Sequence, residues 1–263
     1  MQRYRAYAFA ALSIILSLTG LYAASLALTP APATMSVAMW NIEVFGPTKA
    51  SNETLLIDIA RIVSDYDLAI IQEIRDASNT AFPALCALLP DHTCMNSSRA
   101  GRSASKEQYG IIARQDITIN EFIDYNPDPH DRWERPPIRF TAAMDDFSFT
   151  VYTIHVRPTD AYAEIRALDT LVSEQGESYV MVIGDLNADC RYYTRDRADD
   201  FTDWIWIIEE DTTLAASSCA YDRIILDHAL YDHYVSHEVR RHDITRAHSD
   251  HYLVAVELVG KGS

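Results

Sequence analysis

The sequence contains several short, almost wholly apolar runs, and the most informative of them ends abruptly in a polar cluster. The run "VMVIG" occupies positions 180–184 and is followed by Asp185, Asn187, Asp189 and Cys190. A short apolar run bounded by turn-forming residues is typical of a strand buried on both faces. Gly, Asp and Asn are also the commonest turn formers. Two interpretations are therefore open: a simple turn, or a turn that carries part of a functional site.

Apolar runs of strand length alternate with helical patterns early in the chain and follow one another directly in the middle. Two helices are predicted, one capped by Ser51 or Asn52 and one that starts at Asp160 and stops at Gly176. Strands are predicted at 35–42, 68–73, 109–114, 117–123, 138–144, 147–155, 179–184, 222–227 and 250–258. This order of elements predicts an α/β protein built on mixed sheets.

Polar side chains stand at matching ends of these predicted strands. The carboxyl ends carry Asn41, Glu73, His155 and Asp185, whereas the amino-terminal starts carry Asp222, Asp250 and His251. In a mixed sheet, the ends of strands that run one way lie beside the starts of strands that run the other way. We therefore expect all seven side chains to meet along one edge of the core, where α/β sheets commonly bind ligands.

These residue types suit metal-assisted chemistry. Carboxylate and amide oxygens are ligands that Mg²⁺, Mn²⁺ and Ca²⁺ prefer. Two histidines held by nearby acids can serve as general acid and general base, and the whole set fits hydrolysis of a phosphate ester. Singly, Glu73 could be a surface acid and His155 a core histidine bonded to a carbonyl group. The joint pattern favours a site.

The first 33 residues differ from the rest of the chain. Arg3 and Arg5 precede a mostly apolar stretch over 6–28, and no acidic residue occurs in this segment. This pattern predicts a signal peptide cleaved near Ala23 or Ala33, followed by one domain over 34–263. The alternative is that residues 6–28 remain as a membrane anchor. The first outcome predicts a secreted, extracellular or periplasmic protein, and the second leaves the same domain anchored to a membrane.

The chain carries a formal net charge of −16. Such acidity argues against general electrostatic attraction to nucleic acid or anionic lipid, which requires clustered Lys and Arg. An acidic protein can still act on a polyanion if a few arginines are placed locally and cations bridge the remaining charge. The composition therefore favours a metal-assisted site over a basic groove.

The four cysteines fit export, because an even number in an oxidising compartment indicates disulfides. The most economical pairing joins Cys86 to Cys94 and Cys190 to Cys219, although other connectivities are possible. A zinc site is disfavoured because the sequence has no C-x-x-C pair.

Seven motifs connect the chain to a known family. They are "WNIEVFGPTKASNETL", "YDLAIIQEIRDA", "SKEQY", "IHVRPTDAYAEI", "GDLNADC", "SCAYDRIIL" and "SDHYLV", in this order over residues 36–258. Together they resemble the secreted deoxyribonuclease I family of the endonuclease/exonuclease/phosphatase superfamily. The elements N, QE, H, GDxN and SDH are shared by superfamily enzymes with several substrates, whereas "FGxTKxSNxTL", "IQExRD" and "CAYDRI" point to the deoxyribonuclease branch.

The resemblance implies a four-layer α/β sandwich in which two packed mixed sheets are flanked by helices. It also implies a secreted endonuclease that cuts DNA phosphodiester bonds and leaves 5′-phosphate products. Mg²⁺ (or Mn²⁺) would take part in the reaction, and Ca²⁺ would support the structure. DNA would be the substrate of a monomer that has no stable protein partner.

The resemblance also assigns roles to individual residues. The divalent metal and the scissile phosphate would be surrounded by Asn41, Glu73, Asp185, Asn187 and Asp250. The two acid/base units would be His155 with Glu107 and His251 with Asp222. Phosphate contacts would come from Arg75 and Arg135, with Asn187 also on the substrate. Cys190 and Cys219 match the principal disulfide of the family, and Asp211 and Thr213 resemble part of a structural calcium site.

Two other functions are compatible with the scaffold. A phosphodiesterase or phosphatase of the same superfamily could act on lipid headgroups or inositol phosphates, but it would need an apolar docking loop or a basic pocket, and neither is evident. A toxin-like or binding subunit would lack the histidines or the metal carboxylates, and none is missing. Ser105, which stands where the family has a groove-stacking tyrosine, departs from the nuclease pattern.

Overall fold

The computed structural model describes residues 34–216 and 218–260, which form two sheets and the helices that cover them. The strands are β1 (Thr34–Phe45), β2 (Leu68–Ile74), β3 (His92–Asn96), β4 (Gln108–Arg114), β5 (Thr118–Asp124), β6 (Ile138–Met144), β7 (Phe147–Thr153), β8 (Val180–Asp185), β9 (Ile205–Trp206), β10 (Asp222–Leu226), β11 (Tyr234–Arg240) and β12 (Leu253–Val259). The helices are α1 (Pro47–Ala50), α2 (Glu53–Ser64), α3 (Ala81–Cys86), α4 (Ala161–Gln175) and α5 (His228–Tyr231), with short 3₁₀ turns at Pro158–Asp160 and Arg195–Arg197.

Each sheet has six strands and combines parallel and antiparallel pairs. The first sheet has the order β11-β12-β1-β2-β4-β3, and the second has the order β5-β6-β7-β8-β10-β9. Only β1 with β2 and β7 with β8 pair in parallel among these described strands. A parallel pair needs a long crossover, and α2 and α4 supply the two crossovers. The prediction of mixed sheets is confirmed.

Three buried apolar clusters define four layers. One cluster fills the space between the sheets and includes Met39, Ile70, Phe140 and Ile183. A second packs α2 on the outer face of the first sheet, and a third packs α4 on the outer face of the second sheet. Because every strand near the centre is buried on both faces, these strands read as continuous apolar runs. The predicted four-layer α/β sandwich is the observed architecture.

Helix α2 begins, and helix α4 ends, where the local sequence predicts. The Asn52 side chain caps α2 by accepting a hydrogen bond from the Leu55 N–H at 3.2 Å. Helix α4 ends at Gln175 and is capped by Gly176, which has a φ of 61° in the left-handed region. Both signals depend only on neighbouring residues.

The two edge strands of the first sheet are missed by the sequence patterns, whereas the edge strand β5 of the second sheet was predicted over 117–123. Strands β3 and β11 lie at the two edges of the first sheet, and most of their side chains are partly or fully exposed. A strand with so little buried surface shows no apolar run. The short β9 and the helices α1, α3 and α5 were not predicted either.

Several predicted strand ends are displaced. The strand predicted over 250–258 begins at Leu253, and the one predicted over 147–155 ends at Thr153. His155, Asp250 and His251 therefore lie in loops next to the strands. The first strand passes the predicted end at residue 42 and reaches Phe45 through an irregular segment.

Both economical cysteine pairs are present as disulfides. Cys86–Cys94 links α3 to β3, and Cys190–Cys219 links the loop after β8 to the segment before β10. Within residues 34–216 and 218–260, no helix is long and apolar enough to cross a membrane. The predicted signal peptide or anchor, residues 1–33, lies outside the described residues.

Candidate active site

The two sheets are joined closely at one end by a buried glutamine. Gln72 is the third residue from the end of β2. Its Nε2 donates to Thr153 Oγ1 at 3.1 Å and to the Ile154 carbonyl at 2.9 Å. Its Oε1 accepts from the Asp185 N–H at 3.0 Å. A Cβ atom at Gly184 would lie 2.0 Å from the Ile154 oxygen, so only glycine permits this approach. The polar ends of strands from both sheets consequently meet here.

Asp185 lies at the centre of the polar cluster. Its Oδ2 accepts from Asn41 Nδ2 at 3.1 Å, and the same Nδ2 lies 3.4 Å from Glu73 Oε1. Its Oδ1 accepts from the Asn187 N–H at 3.1 Å. Asn41 thus bridges one carboxylate from each sheet, which brings Glu73 and Asp185 to opposite sides of one small space.

His155 is held by a carboxylate on one side and faces Asp185 on the other. Its Nδ1 lies 2.8 Å from Glu107 Oε2, and its Nε2 lies 3.4 Å from Asp185 Oδ2. Burial alone would raise the pKa of Glu107, but the charges of His155, Arg135 and Arg75 outweigh it and hold that pKa at about 2. Glu107 is therefore an ionised partner that orients the imidazole ring.

His251 makes the same arrangement from the opposite side. Its Nδ1 lies 2.8 Å from Asp222 Oδ2, and its Nε2 lies 3.7 Å from Asp185 Oδ2. Burial lowers the pKa of His251, but the negative charges of Asp222 and Asp185 reverse this effect and raise it. Burial also raises the pKa of Asp222. Because the pKa of His251 and the pKa of Asp222 are both raised, this pair retains a proton at neutral pH.

The cluster has more negative than positive groups, which is the condition for binding a cation. Glu73 with Glu107 and His155, and Asp185 with Asp222 and His251, each bring three possible ligand atoms within 4.8 Å of one another. The guanidinium groups of Arg75 and Arg135 offset only part of this charge. Carboxylate oxygens of this kind fit Mg²⁺ or Mn²⁺.

Two arginines border the cluster. Arg75 Nη2 lies 2.8 Å from Glu107 Oε1 and 3.1 Å from Glu73 Oε2. Arg135 Nη1 lies 3.1 Å from Glu107 Oε1, and its Nε donates to the His155 carbonyl at 2.9 Å. Within the part of the chain described, Arg75 Nε and Arg135 Nη2 have no hydrogen-bond partner. Both guanidinium groups thus retain donors beside the acid/base unit.

The side chains of two other predicted ligands, Asp250 and Asn187, contact different partners. Asp250 is partly exposed; its Oδ1 is 4.0 Å from His251 Nε2 and its Oδ2 is 3.7 Å from Arg246 Nη1. Asn187 directs its Nδ2 to the Val156 carbonyl at 2.9 Å. Among the described residues, Asp250 is absent from the two groups of close acidic and histidine ligand atoms, whereas Asn187 lies beside Asp185, to which its N–H donates.

The predicted calcium residues are elsewhere, in the segment before β10. Asp211 Oδ1 accepts hydrogen bonds from the Thr213 N–H at 3.1 Å, the Thr213 hydroxyl at 3.2 Å and the Cys219 N–H at 3.0 Å. Asp211 belongs to none of the clusters of three acidic, histidine or cysteine ligands found in the described residues.

Some residues of the site were not predicted. Gln72 interrupts an apolar run directly before Glu73, and that interruption was a usable signal. Tyr109 is buried; its hydroxyl accepts from the His155 N–H at 3.0 Å and donates to the Arg135 carbonyl at 3.2 Å. An aromatic residue in a strand gives no comparable signal, because it reads as ordinary core.

Fold and site together define a hydrolytic enzyme of the two-sheet α/β sandwich class. A model of the endonuclease/exonuclease/phosphatase family matches residues 39–251. Human deoxyribonuclease-1 is 32% identical, with 92% of this chain and 99% of that protein covered. Mouse deoxyribonuclease-1 is also 32% identical, with 86% of this chain and 92% of that protein covered. The chain belongs to the endonuclease/exonuclease/phosphatase family and, within it, to the deoxyribonuclease I family.

A solved structure supports the fold. An endonuclease/exonuclease/phosphatase family protein from Bacteroides thetaiotaomicron superimposes with a TM-score of 0.65 at 17% identity, covering 88% of this chain and 99% of that one. The predicted fold class is therefore confirmed, and the family model and the two deoxyribonuclease-1 relatives confirm the predicted family and enzyme class.

Proposed function

We propose that the protein is a divalent-metal-dependent endonuclease that hydrolyses DNA and leaves 5′-phosphate ends. The observation that carries this proposal is the position of Asp185 Oδ2, which faces the Nε2 atoms of two histidines, each held by its own carboxylate. The substrate is inferred from the relatives, which are named deoxyribonuclease-1.

Glu73 and Asp185 would hold the metal, because their carboxylates face the same Asn41 amide from different sheets. Asn41, Asn187 and Asp250 would complete its surroundings. When bound, Mg²⁺ or Mn²⁺ supplies positive charge that offsets the negative charge developing on the phosphate oxygens. Asp211 and Thr213 remain a predicted structural calcium site.

The two histidines would move the protons. Water attacks phosphorus while the bond from phosphorus to the 3′ oxygen breaks, so one group must accept a proton and another must donate one. The raised pKa of His251 suits it to protonate the departing 3′ oxygen. His155, oriented by Glu107, would accept the proton from water. The products are a 5′-phosphate and a 3′-hydroxyl.

The arginines would position the phosphate. Arg75 and Arg135 lie on the His155 side of the cluster and have donors that the protein leaves unused. A guanidinium group matches phosphate oxygens in charge and geometry. With a net charge of −16, binding of a polyanion would depend on these local contacts and on the metal.

Two disulfides are consistent with an extracellular protein. We infer export through residues 1–33, and we infer that the protein acts as a monomer.

The proposal is tested with supercoiled plasmid. The protein should nick plasmid with Mg²⁺ or Mn²⁺ and stop when EDTA is added. Parallel assays with sphingomyelin and an inositol phosphate address the other superfamily substrates. The nuclease proposal would be overturned if the protein did not nick plasmid but hydrolysed sphingomyelin or the inositol phosphate.

Single substitutions test the roles within the site. Replacing Glu73, His155 or His251 by Ala should lower the nicking rate at least about a hundredfold, because each change removes a side chain that would hold the metal or transfer a proton. His242→Ala is the matched control, since this histidine side chain is 73% exposed and should leave the rate unchanged. A His155→Ala variant with wild-type activity would contradict the assigned role.

A further inference from the structure

Strand β1 contains an unusual backbone segment directly beside the site. Its pairing with β2 shifts register between Asn41 and Phe45. Within this irregular segment, Glu43 and Val44 have φ angles of 41° and 54°. Two consecutive residues in the left-handed region are costly, and a β-branched residue there is especially rare. We call this segment, residues 42–44, the β1 bulge. Backbone strain of this kind persists only where the surrounding structure stabilises it.

The N–H groups of the β1 bulge bind side chains of the site. The Glu43 N–H donates to Asn41 Oδ1 at 3.1 Å, and the Val44 N–H donates to Glu73 Oε2 at 2.8 Å. The left-handed conformation turns both N–H groups toward these side chains. The bulge therefore orients the amide and the carboxylate that approach Asp185 from the first sheet.

The carbonyl groups of the β1 bulge point to one ammonium group. Lys49 Nζ, from the half-buried side chain on α1, donates to the Ile42 carbonyl at 2.7 Å and to the Glu43 carbonyl at 2.5 Å. Its third donor reaches the His248 carbonyl at 2.8 Å. An ammonium group has three donors, so all three are used on backbone oxygens.

The third bond connects the bulge to the loop that carries His251. In the same loop, the Ser249 hydroxyl donates to the Asn41 carbonyl at 2.6 Å and accepts from the His251 N–H at 3.0 Å. The loop is therefore attached to the bulge through Lys49 and to the adjoining Asn41 through Ser249. Together they place residues of the proposed metal site and acid/base unit relative to each other.

We propose that Lys49 is a positioning residue whose ammonium group holds the β1 bulge in its left-handed conformation and thereby orients Asn41 and Glu73 for the metal. This inference rests on the proposed function. The three carbonyl groups converge on a single nitrogen, which suits a compact ammonium group. The planar fork of arginine spreads its donors and would not reach the same three oxygens.

Metal binding without DNA tests the proposal. Mn²⁺ is titrated into the purified protein, and free Mn²⁺ is measured by electron paramagnetic resonance. Lys49→Met should raise the Kd for Mn²⁺ about tenfold, the usual effect of losing a group that orients metal ligands. Plasmid nicking by this variant should fall at limiting Mg²⁺ and recover substantially at high Mg²⁺, which a general loss of folding would not produce.

The control is Arg139→Met. Arg139 is a buried cation on the outer side of the second sheet, bound to Glu121 and Glu177. Its loss should lower stability but leave the Kd for Mn²⁺ within about twofold of wild type, because it touches no group of the site.

Lys49→Arg keeps the charge and provides a second measurement if the methionine variant does not fold. It should also weaken Mn²⁺ binding, by about three- to tenfold, because the donors no longer fit. Wild-type Mn²⁺ affinity in a folded Lys49→Met or Lys49→Arg protein would overturn the proposal. Since this measurement contains no DNA, it is separate from the plasmid assay, which decides the proposed function.

Discussion

Asp76 shows how a single buried carboxylate can organise the chain next to the site. It follows Arg75, and its oxygens accept from the N–H groups of Ser78 at 2.8 Å, Thr80 at 2.6 Å and Ala81 at 2.8 Å. Burial opposes ionisation, but these hydrogen bonds outweigh it and hold the pKa of Asp76 well below its usual range. The turn between β2 and α3 therefore depends on the charged form.

Replacing Asp76 by Asn should lower the free energy of unfolding by about 2 kcal/mol at pH 7, because an amide cannot accept the same set of bonds. A lowered pKa stabilises the fold above the unfolded value of about 4, and this contribution is lost as the pH falls toward the folded value. The difference between variant and wild type should accordingly shrink below pH 4. Urea unfolding of the variant and the wild type at pH 7 and at pH 3 measures the loss of stability and its dependence on pH.

Asp91→Asn serves as the comparison for this change, because Asp91 is exposed. It should alter stability by less than about 0.5 kcal/mol. A difference between Asp76→Asn and wild type that stays constant from pH 7 to pH 3 would contradict the argument.

At the scale of elements, the decisive contact is the approach of the β7 end to β8. Gly184 in β8 faces the Ile154 carbonyl, where a Cβ atom would lie 2.0 Å away, and Gln72 Nε2, where it would lie 2.9 Å away. A backbone carbonyl within a packed sheet cannot move aside at low cost. This close contact is what brings Asp185 next to the loop of His155.

Gly184→Ala should therefore destabilise the protein by about 3 kcal/mol or more. Gly176→Ala is a suitable comparison, because that site is left-handed but has open space around it, so the cost should be only about 1 to 2 kcal/mol. Thermal and urea unfolding of the two variants show which of them loses more stability. Equal losses would show that the Ile154 carbonyl can move aside to accept a methyl group at Gly184.

The whole molecule combines an acidic surface with a predicted export segment. Removal of residues 1–33 deletes two basic and no acidic residues, which moves the net charge from −16 to −18. Mass spectrometry of protein recovered from the medium should show an N-terminus just after Ala23 or Ala33. Full-length protein in the membrane fraction would instead support the anchor formed by residues 6–28.

Local sequence signals determined much of this protein. The caps at Asn52 and Gly176, the buried central strands and the polar residues at their ends follow from the chemistry of neighbouring residues. The family motifs named the residues that the structure then brings together around Asp185. The edge strands β3 and β11 were not predicted, because their exposed side chains leave no apolar pattern.

Tertiary structure alone decided how those residues face one another. Asn41 donates to Asp185 across 144 positions of sequence, and Lys49 reaches the His248 carbonyl across 199. No local pattern encodes such contacts, because they exist only once the two sheets pack and the loops between strands are placed. For the same reason the left-handed β1 bulge was unexpected: its conformation is stabilised by distant partners against its own local preference.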